Sequence, residues 1–204
     1  MRIKARSLGV RLGGRVVFDA LEFDWEAPGV VAVTGPNGSG KTTLLKVLAG
    51  LLVPGRGRIE WEDGGKALGV RDVRARLGFA GPEIGLYEDL TGAENLEFFA
   101  AATGRSWNGS ESRTLLDRFG LADRGGDRVM GYSSGMKQRL KLAFAVQAEP
   151  ALLLLDEPGS NLDDDGRARL VRMVAETGRQ ALVVVATNDP EEASWAGTRL
   201  SLPA

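Results

Sequence analysis

One run of eight residues near the N-terminus has the residue types and the spacing that bind phosphate groups. It reads Gly35-Pro36-Asn37-Gly38-Ser39-Gly40-Lys41-Thr42 and lies between an apolar run and a stretch with helical periodicity. Glycines let the backbone fold around phosphates, and the start of a helix adds free amide donors at the positive end of its dipole. Lys41 is expected to reach the β- and γ-phosphates, and the Thr42 hydroxyl to bind Mg²⁺. The residues from Gly35 to Thr43 therefore form a predicted nucleoside triphosphate site.

The same segment contains two glycines that could open a dinucleotide-binding turn. Gly38 and Gly40 fit the first two glycines of G-x-G-x-x-G, but Thr43 stands at the position of the third. The third glycine of that fingerprint permits close packing of the helix on the strand. The sequence therefore does not predict a dinucleotide site.

Two consecutive acids follow an apolar run in the second half of the chain, in the sequence Ala151-Leu152-Leu153-Leu154-Leu155-Asp156-Glu157-Pro158. Asp156 is expected to hold the Mg²⁺ water shell. Side chains alternate along a strand, so Glu157 is expected to point in another direction and to polarise the attacking water. An Asp-Glu pair alone could be a helix cap or a solvated turn. Beside a phosphate-binding loop, the pair predicts a nucleoside triphosphatase.

A third segment resembles a family signature. It reads Tyr132-Ser133-Ser134-Gly135-Met136-Lys137-Gln138-Arg139-Leu140 and is similar to the L-S-G-G-Q motif and basic helix of ATP-binding cassette (ABC) ATPases. Its hydroxyl and amide donors at a helix start suit a γ-phosphate, although Ser133 alone could be an ordinary N-cap. The run Ser160-Asn161-Leu162-Asp163 looks like the D-loop of that family, and the interval between Lys41 and Asp156 is long enough for its helical insertion. Larger related ATPases of chromosome structure and mismatch repair need much longer chains.

The resemblance implies a function and partners. It implies ATP and Mg²⁺ as cofactors, and a homodimer or heterodimer with a second cassette in which Ser133, Ser134 and Gly135 face the nucleotide of the other subunit. It also implies a transmembrane permease subunit as partner, a peripheral position on the cytoplasmic face of the membrane, and ATP hydrolysis that powers transport. The form of the signature is similar to that of exporter cassettes.

Three positions depart from the family pattern. The Q-loop glutamine falls on Pro82, with Glu83 one residue away as a substitute or as a plain solvated acid. The switch histidine falls on Asn188, whose amide can hydrogen-bond a γ-phosphate but carries no charge. The aromatic residue that stacks on adenine falls on Leu12, with Phe18 as a less favoured stand-in.

Two alternatives to a transport ATPase remain open, and the departures bear on the first. One is a regulatory cassette that binds ATP and hydrolyses it hardly at all. The other is a cassette without a permease that energises assembly of an iron-sulfur scaffold.

The elements that must position these residues follow from the hydrophobic pattern. Apolar runs that alternate with helical segments predict an α/β fold with a mainly parallel sheet between helices. The resemblance makes this a P-loop NTPase core in a single domain, 1–204, with a β-rich edge near 1–30 and 55–65 and a helical subdomain inserted at about 84–148. The predicted strands are 2–12 and 15–25, both exposed and antiparallel, followed by 30–34, 58–61, 77–80, 151–155 and 181–187. The predicted helices are 41–49, one that starts at a capping box at 91–94, 113–119, 136–147, 166–176 and one that starts at 190.

Composition narrows the function further. The chain has a net charge of −1 with 26% charged residues, which argues against a nucleic-acid partner. It contains neither cysteine nor histidine, which excludes disulfides, thiolate or imidazole metal sites and Ser-His-Asp catalysis. The longest apolar runs are far shorter than the ~20 residues that cross a bilayer. Membrane contact is therefore expected only through a partner.

Overall fold

The computed structural model describes residues 1–203. Its strands are β1 (Arg2–Leu12), β2 (Arg15–Glu26), β3 (Gly29–Thr34), β4 (Arg56–Asp63), β5 (Lys66–Leu68), β6 (Leu77–Ala80), β7 (Leu152–Asp156), β8 (Leu182–Thr187) and β9 (Thr198–Ser201). Its α-helices are α1 (Lys41–Leu48), α2 (Val70–Arg74), α3 (Gly92–Ala102), α4 (Gly109–Arg118), α5 (Ser134–Val146), α6 (Asp164–Gly178) and α7 (Pro190–Ser194). Two short 3-10 turns, Ala122–Arg124 and Val129–Gly131, separate α4 from α5.

A parallel sheet with the strand order β6-β7-β8-β3-β9 forms the centre of the fold. Every residue of β7 and β8 is buried, as expected for strands that helices cover on both faces. Parallel pairing brings the carboxyl ends of β3, β7 and β8 to one edge of the sheet. Ligands of open α/β sheets bind at that edge, and the phosphate-binding loop and the two acids both follow strands that end there. The predicted α/β fold is confirmed.

A second, antiparallel sheet has the order β2-β1-β4-β5. The first strand is not exposed as predicted, because it lies between two neighbours and its alternate residues Ile3 and Ala5 are buried in the core. Alternation with charged residues such as Lys4 gave this strand one solvated face and one buried face.

Several short elements escaped the sequence patterns. The strands β5 and β9 and the helix α2 have three to five residues each, too few for a periodic signal. The helix α4 begins at Gly109, four residues before the predicted start at 113. Asn108 and Glu111 form a capping box there, with the Asn108 side chain accepting the Glu111 amide at 3.2 Å.

The helices α3, α4 and α5 occupy the chain between β6 and β7. Their apolar side chains pack on one face of the parallel sheet and form a buried cluster with it. This cluster includes Leu116, Phe119, Leu140 and Leu155. The start of α5 is thereby fixed relative to the end of β7. Within residues 1–203, no helix has the length and apolar character needed to span a membrane.

Candidate functional site

A cleft of about 490 Å³ lies at the carboxyl ends of β3 and β7. The phosphate-binding loop and the start of α1 form one wall, and Asp156, Glu157 and Pro82 form the other. The structure thus brings Lys41, Thr42 and both predicted acids to one place, although more than 100 positions of sequence separate the loop from the acids.

Backbone geometry explains the glycines of the loop. Gly38 and Gly40 have φ values of 84° and 97°, which L side chains rarely adopt. A Cβ atom at Gly40 would lie 2.5 Å from Val17, whereas one at Gly38 would meet nothing within 4 Å. Gly40 is also the N-cap of α1 and has no side chain to occupy the first amides of the helix. These amides are available to a phosphate group.

Two buried polar groups of the loop fit a phosphate ligand. The Ser39 hydroxyl is buried and, among residues 1–203, has no hydrogen-bond partner. The Lys41 side chain is only 6% exposed, and its Nζ donates to the carbonyls of Gly35 at 2.9 Å and Pro36 at 3.3 Å. Lys41 Nζ also lies 3.4 Å from Glu157 Oε1. A buried ammonium among these acceptors is placed to exchange them for phosphate oxygens.

The predicted magnesium ligands contact each other directly. The Thr42 hydroxyl donates to Asp156 Oδ2 at 2.6 Å. Burial raises the pKa of the Asp156 carboxyl, with the Thr42 hydrogen bond opposing the rise and the charge of Glu157 adding to it. Residues 1–203 contain no cluster of three or more Asp, Glu, His or Cys side chains that could hold a metal ion. One hydroxyl and one carboxylate nevertheless suit Mg²⁺, which proteins bind through one or two carboxylates together with water and substrate phosphates.

Glu157 has an unusual backbone conformation. Its φ is 47°, in the left-handed region, and its amide donates to the Ala186 carbonyl of β8 at 2.8 Å. Both acids line the cleft, and strand alternation, the predicted reason for their different directions, does not apply to Glu157. Strand β7 ends at Asp156, so a left-handed turn rather than strand alternation directs the Glu157 side chain.

The side of the cleft at which the resemblance implies the base is apolar but not aromatic. Leu12 lines the cleft and is 48% exposed, and Val17, which sequence analysis did not identify, lines it too. The suggestion that Phe18 stacks on the base is wrong, because Phe18 is 3% exposed and belongs to the core. Phe18 points from the β1–β2 hairpin toward the core and is therefore not available to stack on a base.

The loop at the Q-loop position is held from two sides. Pro82 lines the cleft, and the neighbouring Glu83 forms a 2.6 Å ion pair with Lys46 of α1. Lys141 of α5 donates to the carbonyls of Gly81 at 3.3 Å and Pro82 at 3.5 Å. Glu83 is 58% exposed and does not line the cleft, which favours a solvated acid over a substitute for the Q-loop glutamine. The ion pair and the hydrogen bonds thus connect this loop to α1 on one side and to α5 on the other.

Asn188 directly follows β8 and reaches the phosphate-binding loop. Its amide nitrogen donates to Asn37 Oδ1 at 3.1 Å. The next residue, Asp189, caps α7 by accepting the Glu191 amide at 2.8 Å. The predicted switch position is thus adjacent to the loop, as the resemblance implies.

The signature segment does not line this cleft. Ser133 caps α5, and its hydroxyl accepts the Met136 amide at 3.2 Å. Ser133 and Ser134 are exposed, whereas Tyr132 is buried and donates to the Arg124 carbonyl at 2.7 Å. The buried tyrosine anchors the segment, and the two serines and the helix start remain accessible from outside.

Comparisons with known proteins agree with this geometry. A profile of the ABC transporter family matches residues 18–160. The daunorubicin resistance ATP-binding protein DrrA3 of Streptomyces coeruleorubidus is 39% identical over 195 residues, which are 94% of this chain and 62% of that protein. The cytochrome c biogenesis ATP-binding export protein CcmA of Cupriavidus pinatubonensis is 36% identical over 189 residues, with 91% of this chain and 83% of that protein covered.

A solved structure shows the same fold. It is a dimeric ATP-binding cassette in a post-hydrolysis state with ADP and Pi, and it superposes with a TM-score of 0.87 at 21% identity. The superposition covers 98% of this chain and 94% of that one.

Proposed function

Since the chain belongs to the ABC transporter family as an ATP-binding ATPase subunit, we propose that it hydrolyses ATP to power export of a substrate through a partner membrane permease. The observation that carries the proposal is the convergence of Lys41, Thr42, Asp156 and Glu157 on one cleft. The export direction rests on relatives, one named for drug resistance and one for export.

ATP binding is proposed to rearrange the contacts of the phosphate-binding loop. The β- and γ-phosphates take the place of the Gly35 and Pro36 carbonyls as acceptors for Lys41. The Ser39 hydroxyl gains an acceptor, and the first amides of α1 face the phosphate charge. Each exchange replaces a neutral or missing acceptor by a charged one, which strengthens the hydrogen bond.

Thr42 and Asp156 are the residues proposed to hold Mg²⁺, Thr42 directly and Asp156 through its water shell. When bound there, the ion would supply positive charge that stabilises the charge developing on the β- and γ-phosphates. Glu157 accepts a hydrogen bond from the attacking water and orients it toward the γ-phosphate. Its left-handed backbone and the hydrogen bond of its amide to Ala186 hold the residue where its side chain lines the cleft.

A second cassette is proposed to complete the site. Ser133, Ser134 and Gly135 lie outside the cleft of their own chain and are accessible at the start of α5. Two copies, identical or different, that meet head to tail would place this helix start against the γ-phosphate of the other copy. The dimeric state of the similar solved cassette supports this arrangement.

A permease is proposed to dock on the helical segment, which places the chain at the cytoplasmic face of the membrane. Tyr87 is 48% exposed, Phe98 is 44% exposed and Met130 is 61% exposed. The rings of Tyr87 and Phe98 pack edge to face with centroids 4.6 Å apart. Exposed aromatic and methionine side chains are typical of protein interfaces.

Steady-state ATP turnover by the purified protein tests the proposal. We expect Mg²⁺-dependent release of phosphate. Binding of ATP without turnover would favour the regulatory cassette, for which Pro82 and Asn188 are the supporting observations. Co-purification from cell extract tests the partner. Recovery with a membrane protein supports transport, and recovery with only a scaffold protein that carries an iron-sulfur cluster would favour the other alternative.

A further inference from the structure

A carboxyl group that the proposed mechanism does not use is buried near the cleft. Glu192 on α7 is 2% exposed. Its Oε1 accepts the Gly159 amide at 2.9 Å, while its Oε2 is buried and has no hydrogen-bond partner among residues 1–203. The preceding residue of the same short helix, Glu191, is exposed. A buried carboxyl with so few partners lowers stability, so its contact with Gly159 calls for a functional explanation.

The contact requires glycine at position 159. A Cβ atom on Gly159 would lie only 2.1 Å from Glu192 Oε1. The backbone amide can therefore approach the carboxyl only because no side chain intervenes. Gly159 follows Glu157 by two residues and immediately precedes the segment that resembles a D-loop. Glu192 thus holds the backbone directly behind the residue proposed to orient water.

The same segment is held at its other side by α5. Gln138 donates to the Pro158 carbonyl at 2.9 Å. Arg139 forms an ion pair with Asp163. A Cβ atom on Gly135 would lie 2.7 Å from the Asn161 carbonyl oxygen. The segment 158–163 therefore packs between Glu192 and the helix that begins with the signature residues.

Glu192 also lies close to the end of β8, because α7 packs against that strand. Burial raises the pKa of its carboxyl, and the nearby Thr187 hydroxyl and the Gly159 amide oppose the rise. Thr187 ends β8, and its hydroxyl accepts the Asp189 amide at 2.9 Å. Asn188, which contacts the phosphate-binding loop, lies between these two residues.

We infer that Glu192 is a positioning residue that sets the backbone path of 158–163. Through this path it couples Asn188, at the predicted switch position, to Glu157 and to the start of α5. This role rests on the proposed ATPase function. Glu192 does not line the cleft itself. Its loss should therefore change the rate of hydrolysis more than the affinity for ATP.

The test compares steady-state ATP turnover of the wild type, Glu192→Ala, Glu192→Gln and Glu191→Ala. Glutamine keeps an acceptor oxygen for the Gly159 amide, whereas alanine removes it. We expect Glu192→Ala to lose about tenfold or more in kcat, because displacement of a catalytic group by about 1 Å is costly, with KM for ATP nearly unchanged. Glu192→Gln should recover most of the rate, and the matched control Glu191→Ala should retain the wild-type rate.

A second variant approaches the same contact from the other side. Gly159→Ala leaves Glu192 intact but places a methyl group against Oε1, so it should lower kcat in the same way, and it keeps the test available if Glu192→Ala does not fold. Melting temperatures separate a general loss of stability from the kinetic effect.

Wild-type turnover by both Glu192→Ala and Gly159→Ala would overturn the positioning role and leave the proposed function standing. Equal losses in Glu192→Gln and Glu192→Ala would also overturn it, because the acceptor oxygen would then be irrelevant. A wild type that binds ATP but does not turn it over would overturn both the positioning role and the proposed function.

Discussion

The amide nitrogen of Asn188 donates a 3.1 Å hydrogen bond to Asn37 Oδ1, and so ties the end of β8 to the phosphate-binding loop. Both side chains are neutral and both residues are exposed. At the position of the family's switch histidine, this chain therefore has an uncharged side chain that is bound to another amide in the phosphate-binding loop. Because the side-chain amide nitrogen carries two donor hydrogens, this contact leaves one of them for a nucleotide.

We predict that Asn188→His raises kcat. An imidazole strengthens a contact made mainly in the transition state, and a gain of about tenfold corresponds to ~1.4 kcal/mol. Turnover is measured for Asn188→His, Pro82→Gln and the double variant, because their coupling shows which position limits the rate. Unchanged turnover of Asn188→His in both backgrounds would show that Asn188 does not limit hydrolysis.

Lys41→Ala is expected to abolish ATP binding or hydrolysis. It removes a buried cation from the phosphate side of the cleft and leaves Glu157 without its 3.4 Å partner. Nucleotide binding and phosphate release are measured, with circular dichroism as a check of folding. Lys66→Ala, at the exposed start of β5, is the matched control. Wild-type turnover by Lys41→Ala would contradict the assignment of the site.

Glu157→Gln is expected to bind ATP but not to hydrolyse it. The amide fills the same space but cannot polarise water as a carboxylate does. With hydrolysis blocked, ATP and Mg²⁺ should convert the protein into a dimer, which size-exclusion chromatography detects. Glu60→Gln, an exposed change on β4, should remain fully active. A monomeric Glu157→Gln at saturating ATP and Mg²⁺ would argue against the sandwich.

Asp156→Asn is expected to stabilise the protein at neutral pH while it abolishes activity. The folded pKa of Asp156 lies above its unfolded value because the carboxyl is buried. The contribution of the Asp156 carboxyl to the free energy of unfolding is therefore fully present below its unfolded pKa of about 4. This contribution is lost as the pH rises through the folded pKa of the same group.

The measurement for Asp156→Asn is the melting temperature of wild type and variant against pH, without nucleotide or Mg²⁺. The advantage of the variant should be largest above the folded pKa and should shrink as the pH falls toward about 4. An advantage that does not depend on pH would show that burial of this charge is not the cause.

Leu12→Tyr is expected to tighten ATP binding. An aromatic ring at the open base side of the cleft would stack on adenine, which is worth about 1 kcal/mol, or roughly a fivefold lower Kd. Val16→Tyr is the matched control, since Val16 is 50% exposed in the same hairpin but does not line the cleft. Equal affinities for ATP in the two variants would show that Leu12 does not contact the base.

The sequence alone was sufficient for the local part of the site. Loop spacing around Lys41 and the acids after an apolar run depend only on neighbours in the chain, and so do the continuous apolar runs that form β7 and β8. Short elements such as β9 and α2 carry too few residues for a periodic pattern, and their formation depends on the partner against which they pack.

Tertiary structure decided which distant residues meet. Phe18 points into the core, Glu83 pairs with Lys46, and Glu192 approaches Gly159. Each of these depends on segments that are far apart in the chain or on different elements. Even the orientation of Glu157 depends on its amide bonding to Ala186 of the neighbouring strand. Residue types and spacing state what a side chain can do. The packing of the parallel sheet determines which other groups that side chain meets, because only the fold brings the carboxyl ends of β3, β7 and β8 to one edge.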